Sequence, residues 1–147
     1  MNDIQLMILG AVAFNKAAKE FLRADRTDVG GHFLWNAFYY NVCISFELSL
    51  KAYLAHSGSN RTELKEVGHD LITGLEKATE KGFTPHSENL LPILQILGPL
   101  YHSHELRYLK NKALTLPYSD EYTLELLTNH VTAIAIQVGL DENYARS

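Results

Sequence analysis

The sequence predicts an all-α fold, an up-and-down bundle of four main helices plus one or more short helices. Apolar residues recur at steps of three and four over several long segments, which is the spacing of one helix face. No stretch of useful length shows the alternation of apolar and polar residues that is typical of a half-buried strand. The 147 residues contain neither an internal repeat nor a low-complexity segment, so we expect a single domain over residues 1–147.

The first helix is predicted between Asn2 and the Gly30-Gly31 pair. Asn2 is a suitable cap, and Gln5 stands three residues later in the capping-box position. Asp28 and the two glycines mark the break that follows the helix. The residues on its apolar face are Ile4, Met7, Ile8, Ala11, Phe14, Ala18, Phe21 and Leu22.

The second helix is predicted from about His32 to His56 and is apolar around most of its circumference. A helix of this kind normally lies at the centre of its fold and contacts several neighbours. Its polar exceptions form two pairs at i, i+4 spacing, Asn41 with Ser45 and Glu47 with Lys51. We therefore expect each pair to share one helix face.

The middle of the chain is predicted to contain shorter elements. Residues Ser57 to Gly68 are expected to form a polar loop, followed by a helix from His69 to Lys81 that ends at Gly82. Pro85 suits the first position of another helix, and two internal prolines are expected to keep that helix short or kinked.

The last main helix is predicted to begin at Ser119 and to end at Gly139. Ser119 is a good cap, and the acidic residue Asp120 follows where the helix dipole favours negative charge. Before it, Tyr101 to Leu109 is expected to form a further helical turn or two, and Asn111 to Tyr118 a loop. The apolar stripe of this last helix fits either core packing or a dimer seam, and core packing is the favoured interpretation.

Composition excludes several classes of protein. Hydrophobic residues make up 46% of the chain, which is too much for a disordered protein. The 13 Lys and Arg residues against 17 Asp and Glu residues give a formal charge of −4, so a dominant basic surface for duplex nucleic acid is absent. A local basic patch remains compatible with this balance.

Cellular location is inferred from cysteine usage and from the apolar segments. The one cysteine, Cys43, excludes an intramolecular disulfide and a multi-cysteine zinc site. The amino terminus lacks the basic region of a signal peptide, and the most apolar segment, Phe33 to Ala55, is interrupted by six polar residues. We therefore expect a cytoplasmic protein with no membrane association.

The seven histidines do not predict a metal site. The densest group, His102-Ser103-His104-Glu105, has i, i+2 histidines that point in different directions on a helix. The helical metal pattern HExxH is missing, as are a GxSxG nucleophile turn, a P-loop and a GxGxxG loop. We therefore expect no metal and no cofactor.

Two polar pairs have both a functional and a structural interpretation. Glu47 and Lys51 form either an active pair or an ion pair that fixes the packing of the central helix. His69 and Asp70 belong either to a polar site or to the cap of the third helix. The structural interpretation is favoured for both pairs.

Arg107 and Tyr108 form a third candidate pair. An arginine binds phosphate through two parallel hydrogen bonds, and a neighbouring aromatic ring stacks on a base. The same arginine would equally anchor the following loop to an acidic partner such as Glu47. Both interpretations stay open at the level of the sequence.

These residues together resemble the motifs of HEPN domains, which are small α-helical nucleotide-binding domains of higher eukaryotes and prokaryotes. The resemblance is carried by E-x-x-L-K-A at Glu47 to Ala52, by G-H-D-L at Gly68 to Leu71, and by Arg107-Tyr108. It implies a four- or five-helix bundle, usually a homodimer, often encoded with toxin–antitoxin or defence systems. Some related members are companion subunits of small nucleotidyltransferases.

Many HEPN domains are metal-independent ribonucleases that use R-x4–6-H near the start of the last main helix. Arg107 has no histidine at that distance, so the catalytic motif is missing where the family places it. One formal match, an R-x5-H from Arg26 to His32, lies between the first two helices. The alternative function is therefore a ribonuclease in which Arg26 steadies the phosphate and His32 moves a proton, or one with a composite site across a dimer.

The sequence thus predicts a non-catalytic HEPN-like module that recognises a nucleotide, an RNA segment or a partner protein, for example a nucleotidyltransferase. No catalytic residues are assigned in this interpretation. The predicted ligand-binding residues are Arg107, Tyr108, Glu47, Lys51, His69 and Asp70.

Overall fold

The computed structural model describes residues 2–24, 31–107 and 116–140, with residues 31–33 as backbone alone. Within these ranges the chain forms six helices and no strand, which confirms the predicted all-α helical bundle. The helices are α1 (Asp3–Arg23), α2 (Gly31–His56), α3 (Arg61–Val67), α4 (Leu71–Glu80), α5 (Leu90–His102) and α6 (Asp120–Gln137). Four of them are longer, as predicted, and α3 and α4 are short.

Helix α1 packs antiparallel against α2 at close range. The predicted capping box is present, since Asn2 and Gln5 exchange hydrogen bonds of 2.9 and 3.0 Å. The Ser45 hydroxyl donates to the Ala11 carbonyl at 2.7 Å and so satisfies a buried polar group between the helices. The bond from Ser45 to Ala11 thus links α2 to α1 and fixes their register.

Helix α2 lies at the centre of the bundle, as predicted, and contacts each of the other five helices. Its register against α6 is set by two hydrogen bonds, Tyr39 to Asp120 and His130 to Ser49. Each pair is separated by 81 residues, so α2 and α6 run parallel. The predicted apolar stripe of α6, which includes Leu127, packs in the core of the same chain.

The prediction of a loop over residues 57–68 was wrong, because that segment contains α3. Asn60 and Glu63 form a second capping box, with hydrogen bonds of 3.3 and 2.9 Å. This seven-residue helix is too short to give a periodic pattern, although its cap was readable in the sequence. Helix α4 is capped by Asp70 and is followed by Gly82 at a φ of +100°, both as predicted.

The predicted start of α5 at Pro85 was also wrong, because α5 begins five residues later at Leu90. Asn89 fixes this boundary: its side-chain amide donates to the Tyr122 hydroxyl at 2.8 Å and its carbonyl accepts from Tyr118 at 3.2 Å. Pro92 then lies in the first turn, where its missing N–H would have no partner inside the helix. The start of α5 therefore lies beside α6, and its other end contacts α2 through Tyr101 and Glu47.

The last helix agrees with the prediction at both ends. The Ser119 hydroxyl accepts from the backbone N–H of Tyr122 at 3.1 Å, and Gly139 follows the helix at a φ of +87°. Across the described ranges, none of the helices combines the length and the apolar character needed to span a membrane.

Among the residues that the structure describes, the core contains one imidazole, that of His130. His130 is 0% exposed, and its Nε2 lies 3.1 Å from the Ser49 hydroxyl oxygen. Its ring packs against the rings of Phe46 and Phe83 at centroid distances of 5.3 and 5.6 Å. Burial, with a smaller contribution from His86, lowers the pKa of His130 from 6.5 to about 3, so the folded protein holds this ring neutral.

This burial predicts a pH-dependent stability. Below pH 6.5 the unfolded chain takes up a proton on His130 that the folded chain excludes until about pH 3, so stability is full above that window and falls as the pH drops. We expect His130 to contribute a slope of about 1.4 kcal/mol per pH unit to the free energy of unfolding. Urea unfolding at intervals between pH 7.5 and 5 measures it.

The matched variant is His130→Leu, which removes the titrating group from the same core position. We expect its slope between pH 6 and 5 to be smaller than that of the wild type by about 1.4 kcal/mol per unit, whatever its absolute stability. Equal slopes in the two proteins would contradict the prediction.

Candidate functional site

A carboxylate of low exposure, that of Glu47 in the middle of α2, is the centre of the candidate site. Its side chain is 11% exposed and is bound by three donors. Lys51 donates to Oε2 at 3.1 Å, whereas the Tyr101 hydroxyl and the His69 Nδ1 lie 2.8 and 2.6 Å from Oε1. The three donors belong to α2, to the turn before α4 and to α5, so one carboxylate joins three elements.

The predicted pairing of Glu47 with Lys51 is present as an ion pair of low exposure. The Lys51 side chain is 16% exposed, and one helical turn separates the two residues. A carboxylate and an ammonium group at this depth stabilise the fold only while both partners are present. The ion pair named in the structural interpretation is therefore present, and its carboxylate is also part of the candidate site.

The turn between α3 and α4 positions His69. Gly68 adopts a φ of +54° and a ψ of −127°, a conformation that a residue with a side chain rarely takes. Asp70 accepts the backbone N–H of Thr73 at 3.0 Å and caps α4, and this bond lowers the pKa of its carboxyl. Leu71 is buried in the core, so the residues on both sides of His69 are fixed.

Hydrogen bonding to Glu47 determines the tautomer of His69. An ionised carboxylate only accepts hydrogen bonds, so the His69 Nδ1 carries the proton and donates it at 2.6 Å. The neutral ring therefore has its lone pair on Nε2. Because the His69 side chain is 55% exposed, this basic nitrogen belongs to a ring that is accessible to a ligand.

Tyr101 forms the wall of the site at the end of α5. Burial and the neighbouring Glu47 carboxylate raise the pKa of its phenol, so the hydroxyl stays protonated and donates to Glu47. The ring of Tyr101 packs edge-on against that of His69, with 5.5 Å between the ring centroids. It also packs at a tilt against the ring of Tyr40, with 6.0 Å between the centroids. It thus links the carboxylate to two further aromatic rings.

His104 occupies a strained position after α5. The backbone N–H groups of His104 and Glu105 donate to the carbonyls of Tyr101 and Leu100, which is the Schellman arrangement that usually has glycine at this position. His104 has a φ of +64°, a left-handed conformation that costs a residue with a side chain about 1 kcal/mol. Its ring lies edge-on to His69 at a centroid distance of 6.0 Å.

Arg107 reaches the same site through Tyr40. Its guanidinium donates to the Tyr40 hydroxyl at 2.8 Å and lies 5.6 Å from the centre of that ring. Tyr40 in turn packs on Tyr101, which is bound to Glu47. Arg107, Tyr40 and Tyr101 therefore form a continuous chain of contacts from the surface to the buried carboxylate.

The structure brings together four of the six predicted ligand-binding residues: Glu47, Lys51, His69 and, through the aromatic rings, Arg107. Asp70 is adjacent in sequence and serves as the cap of α4. Tyr108 lies outside the described residues.

The residues of the alternative ribonuclease motif receive no structural test. Arg26 lies outside the described residues, and His32 falls in the first turn of α2, where its side chain also lies outside them. That assignment stays a prediction.

Sequence reasoning missed Tyr40, Tyr101 and His104 as members of the site. Tyr40 stands seven residues before Glu47, a spacing that places both on one face of α2. Because α2 is apolar around most of its circumference, this spacing did not distinguish Tyr40 from the core residues. Nothing in the local pattern indicated Tyr101 or His104.

Cys43 is buried one turn before Glu47, and its burial raises the pKa of the thiol well above its usual value, with a smaller contribution from Glu47. Among the residues that the structure describes, no group of three or more His, Cys, Asp and Glu side chains is placed to hold a metal ion.

Comparisons of the chain with protein-family models, with curated proteins and with solved structures give no match.

The Glu47 network predicts a clear stability difference between two similar substitutions. Glu47→Gln leaves the Lys51 ammonium at low exposure without its counter-ion and weakens two further hydrogen bonds, so we expect a loss of about 1–3 kcal/mol. Glu76→Gln on the exposed surface of α4 should change stability by less than about 0.5 kcal/mol. Urea unfolding at pH 7 compares the two.

Combining Glu47→Gln with Lys51→Met removes the uncompensated charge and is expected to recover part of the lost stability. If Glu47→Gln were as stable as Glu76→Gln, the Glu47 carboxylate would not stabilise the fold as we predict.

Proposed function

We propose that this protein is a HEPN-like module that recognises a nucleotide or an RNA segment at the Glu47 site without cleaving it. The observation that carries the proposal is the exposed guanidinium of Arg107 against the ring of Tyr40. Cation and ring lie beside His69 and Tyr101, so groups suited to phosphate and to a base occur together. The motif resemblance adds a homodimer and a nucleotidyltransferase-like partner to this proposal.

Phosphate recognition is assigned to Arg107. A guanidinium has five N–H donors in a planar fork that matches two phosphate oxygens, and one of its terminal nitrogens donates to Tyr40. The bond to Tyr40 restricts the side chain before any ligand arrives, so less conformational entropy is lost on binding.

Base recognition is assigned to the aromatic ring that contacts Arg107, which is that of Tyr40. Tyr40 is half-buried and packs on Tyr101, so its ring is held in place rather than mobile. Stacking on an aromatic ring is worth about 1–3 kcal/mol per base and is tolerant of base identity. Tyr108, which follows Arg107 directly, is the further aromatic residue in this assignment.

Local charge supports an anionic ligand although the whole chain carries −4. Lys51 compensates the buried Glu47, so the exposed charges of the site come from its rim. The rim includes Arg107, the histidines His69 and His104, and the exposed acid Glu105 next to His104. The guanidinium of Arg107 is thus a permanent positive charge on this rim.

The test compares two arginine substitutions in one binding assay. Arg107→Ala should weaken the binding of labelled single-stranded RNA or of labelled ATP by about 10- to 150-fold, the equivalent of a hydrogen bond to a charged group. Arg61→Ala removes an arginine whose side chain is 85% exposed and which lies 3.9 Å from Asp3, and it should leave affinity within twofold. Fluorescence anisotropy at fixed salt measures both.

Unchanged affinity in Arg107→Ala would overturn the site assignment. Equal losses in the two variants would indicate non-specific attraction to positive charge, which also contradicts it.

A second candidate function, metal-independent RNA cleavage, is favoured by the Glu47–His69–His104 arrangement. Glu47 leaves a lone pair on the His69 Nε2, and the His104 ring is 6.0 Å away, so both rings can face one phosphate. In this candidate His69 takes the proton of a ribose 2′-hydroxyl, whose oxygen attacks phosphorus. Protonated His104 gives its proton to the departing 5′-oxygen, which leaves a 2′,3′-cyclic phosphate.

Denaturing gels of labelled RNA in excess chelator test this candidate. It predicts cleavage that falls at least 100-fold in His69→Gln and in His104→Ala but is kept in His56→Ala, an exposed histidine at the end of α2. Cleavage lost instead in His32→Ala would support the Arg26–His32 alternative. Bound but intact RNA would support recognition alone.

A further inference from the structure

The buried histidine of α6, His130, has a tautomer that can be derived from the hydrogen bonds around it. The Ser49 hydroxyl directs its one hydrogen to the backbone carbonyls of Ser45 and Phe46, at 2.8 and 3.0 Å. Its oxygen can therefore only accept from His130, at 3.1 Å. The His130 Nε2 carries the proton, and the lone pair of the ring is on Nδ1.

That Nδ1 is a buried acceptor with no hydrogen-bond partner, a state that costs about 1–3 kcal/mol. A bridging water needs two to four polar partners. The rings that pack on His130 are those of Phe46, Phe83 and His86, and only His86 among them is polar. Among these three described rings, His86 is therefore the one with nitrogen atoms that could join Nδ1 in binding a ligand.

His86 stands where a second ligand would be needed. It is exposed, and its ring centroid lies 6.3 Å from that of His130. Two imidazoles that bind one ion from opposite sides, with nitrogen–metal distances of about 2 Å, have ring centres about 6 Å apart. The observed separation of the ring centres matches the one that a shared two-coordinate ion requires, and the exposed position of His86 provides access.

Two features match the surroundings of histidine ligands in metal sites. A ligating histidine usually donates its other ring N–H to a fixed acceptor, which orients the ring, and Ser49 does this for His130. The unpartnered Nδ1 of the same ring is then the nitrogen left to bind an ion.

From this geometry we propose that His130 Nδ1 and His86 bind a single copper(I) ion at the surface of the core. Imidazole is a ligand that copper accepts. Both ligands are neutral and the neighbouring rings are apolar, so a monovalent ion costs less to desolvate here than a divalent one. The ion would satisfy the unpartnered nitrogen, and this site is independent of the Glu47 site.

The test is a competition between the purified full-length chain and a coloured copper(I) chelator in the absence of oxygen. We expect the wild type to take up one equivalent with an affinity at least tenfold above that of His86→Ala. Because His86 is exposed, its replacement should leave the fold intact. Nitrogen NMR of the wild type should show copper(I) shifting the His130 Nδ1 resonance more than that of Nε2.

The matched control is His104→Ala, which breaks the other histidine pair with a similar ring separation, 6.0 Å. It should keep the copper(I) affinity of the wild type. Equal affinities of the wild type and His86→Ala, a loss in His104→Ala instead, or tighter binding of Zn²⁺ than of copper(I) would each overturn the proposal.

Discussion

The burial of one carboxylate, that of Glu47, is the constraint around which the central part of this bundle is organised. A charge in the middle of an apolar helix is tolerated only when its hydrogen-bonding capacity is met. Lys51, His69 and Tyr101 meet it from three elements. The requirement fixes the end of α5 and the turn before α4 against α2, and the polar rim is built on these two segments.

The contrast between His69 and His130 shows how the acceptor decides the chemistry of an imidazole. The Glu47 carboxylate accepts a hydrogen bond from the Nδ1–H of His69, whereas the Ser49 hydroxyl oxygen accepts one from the Nε2–H of His130. The first ring presents its basic nitrogen in an exposed side chain, and the second keeps it in the core. The position of the lone pair is therefore the basis of two different proposals, recognition or proton transfer at His69 and metal binding at His130.

Within the two motifs E-x-x-L-K-A and G-H-D-L that carry the HEPN resemblance, several residues have a structural explanation in this fold. Glu47 and Lys51 neutralise each other, Leu50 is in the core, and Gly68 allows the sharp turn before α4. Such residues are required for folding whether or not the site binds a ligand. The functional proposals therefore rest on the rim residues Arg107, Tyr40 and His104, which the packing of the bundle does not require in the same way.

The sequence by itself determined the helices and the pairs that lie within one helix, because helical spacing and caps are local properties. The capping box of Asn2, the cap Asp70, the central position of α2 and the pairing of Glu47 with Lys51 all followed from it. Only the tertiary structure decided which distant residues meet. Tyr101 contacts Glu47 from 54 residues away in the sequence, and His130 contacts Ser49 from 81 residues away. Both contacts depend on how α5 and α6 pack against α2. A periodic pattern shows which face of a helix is buried, but the partner of that face is set by packing of the whole chain.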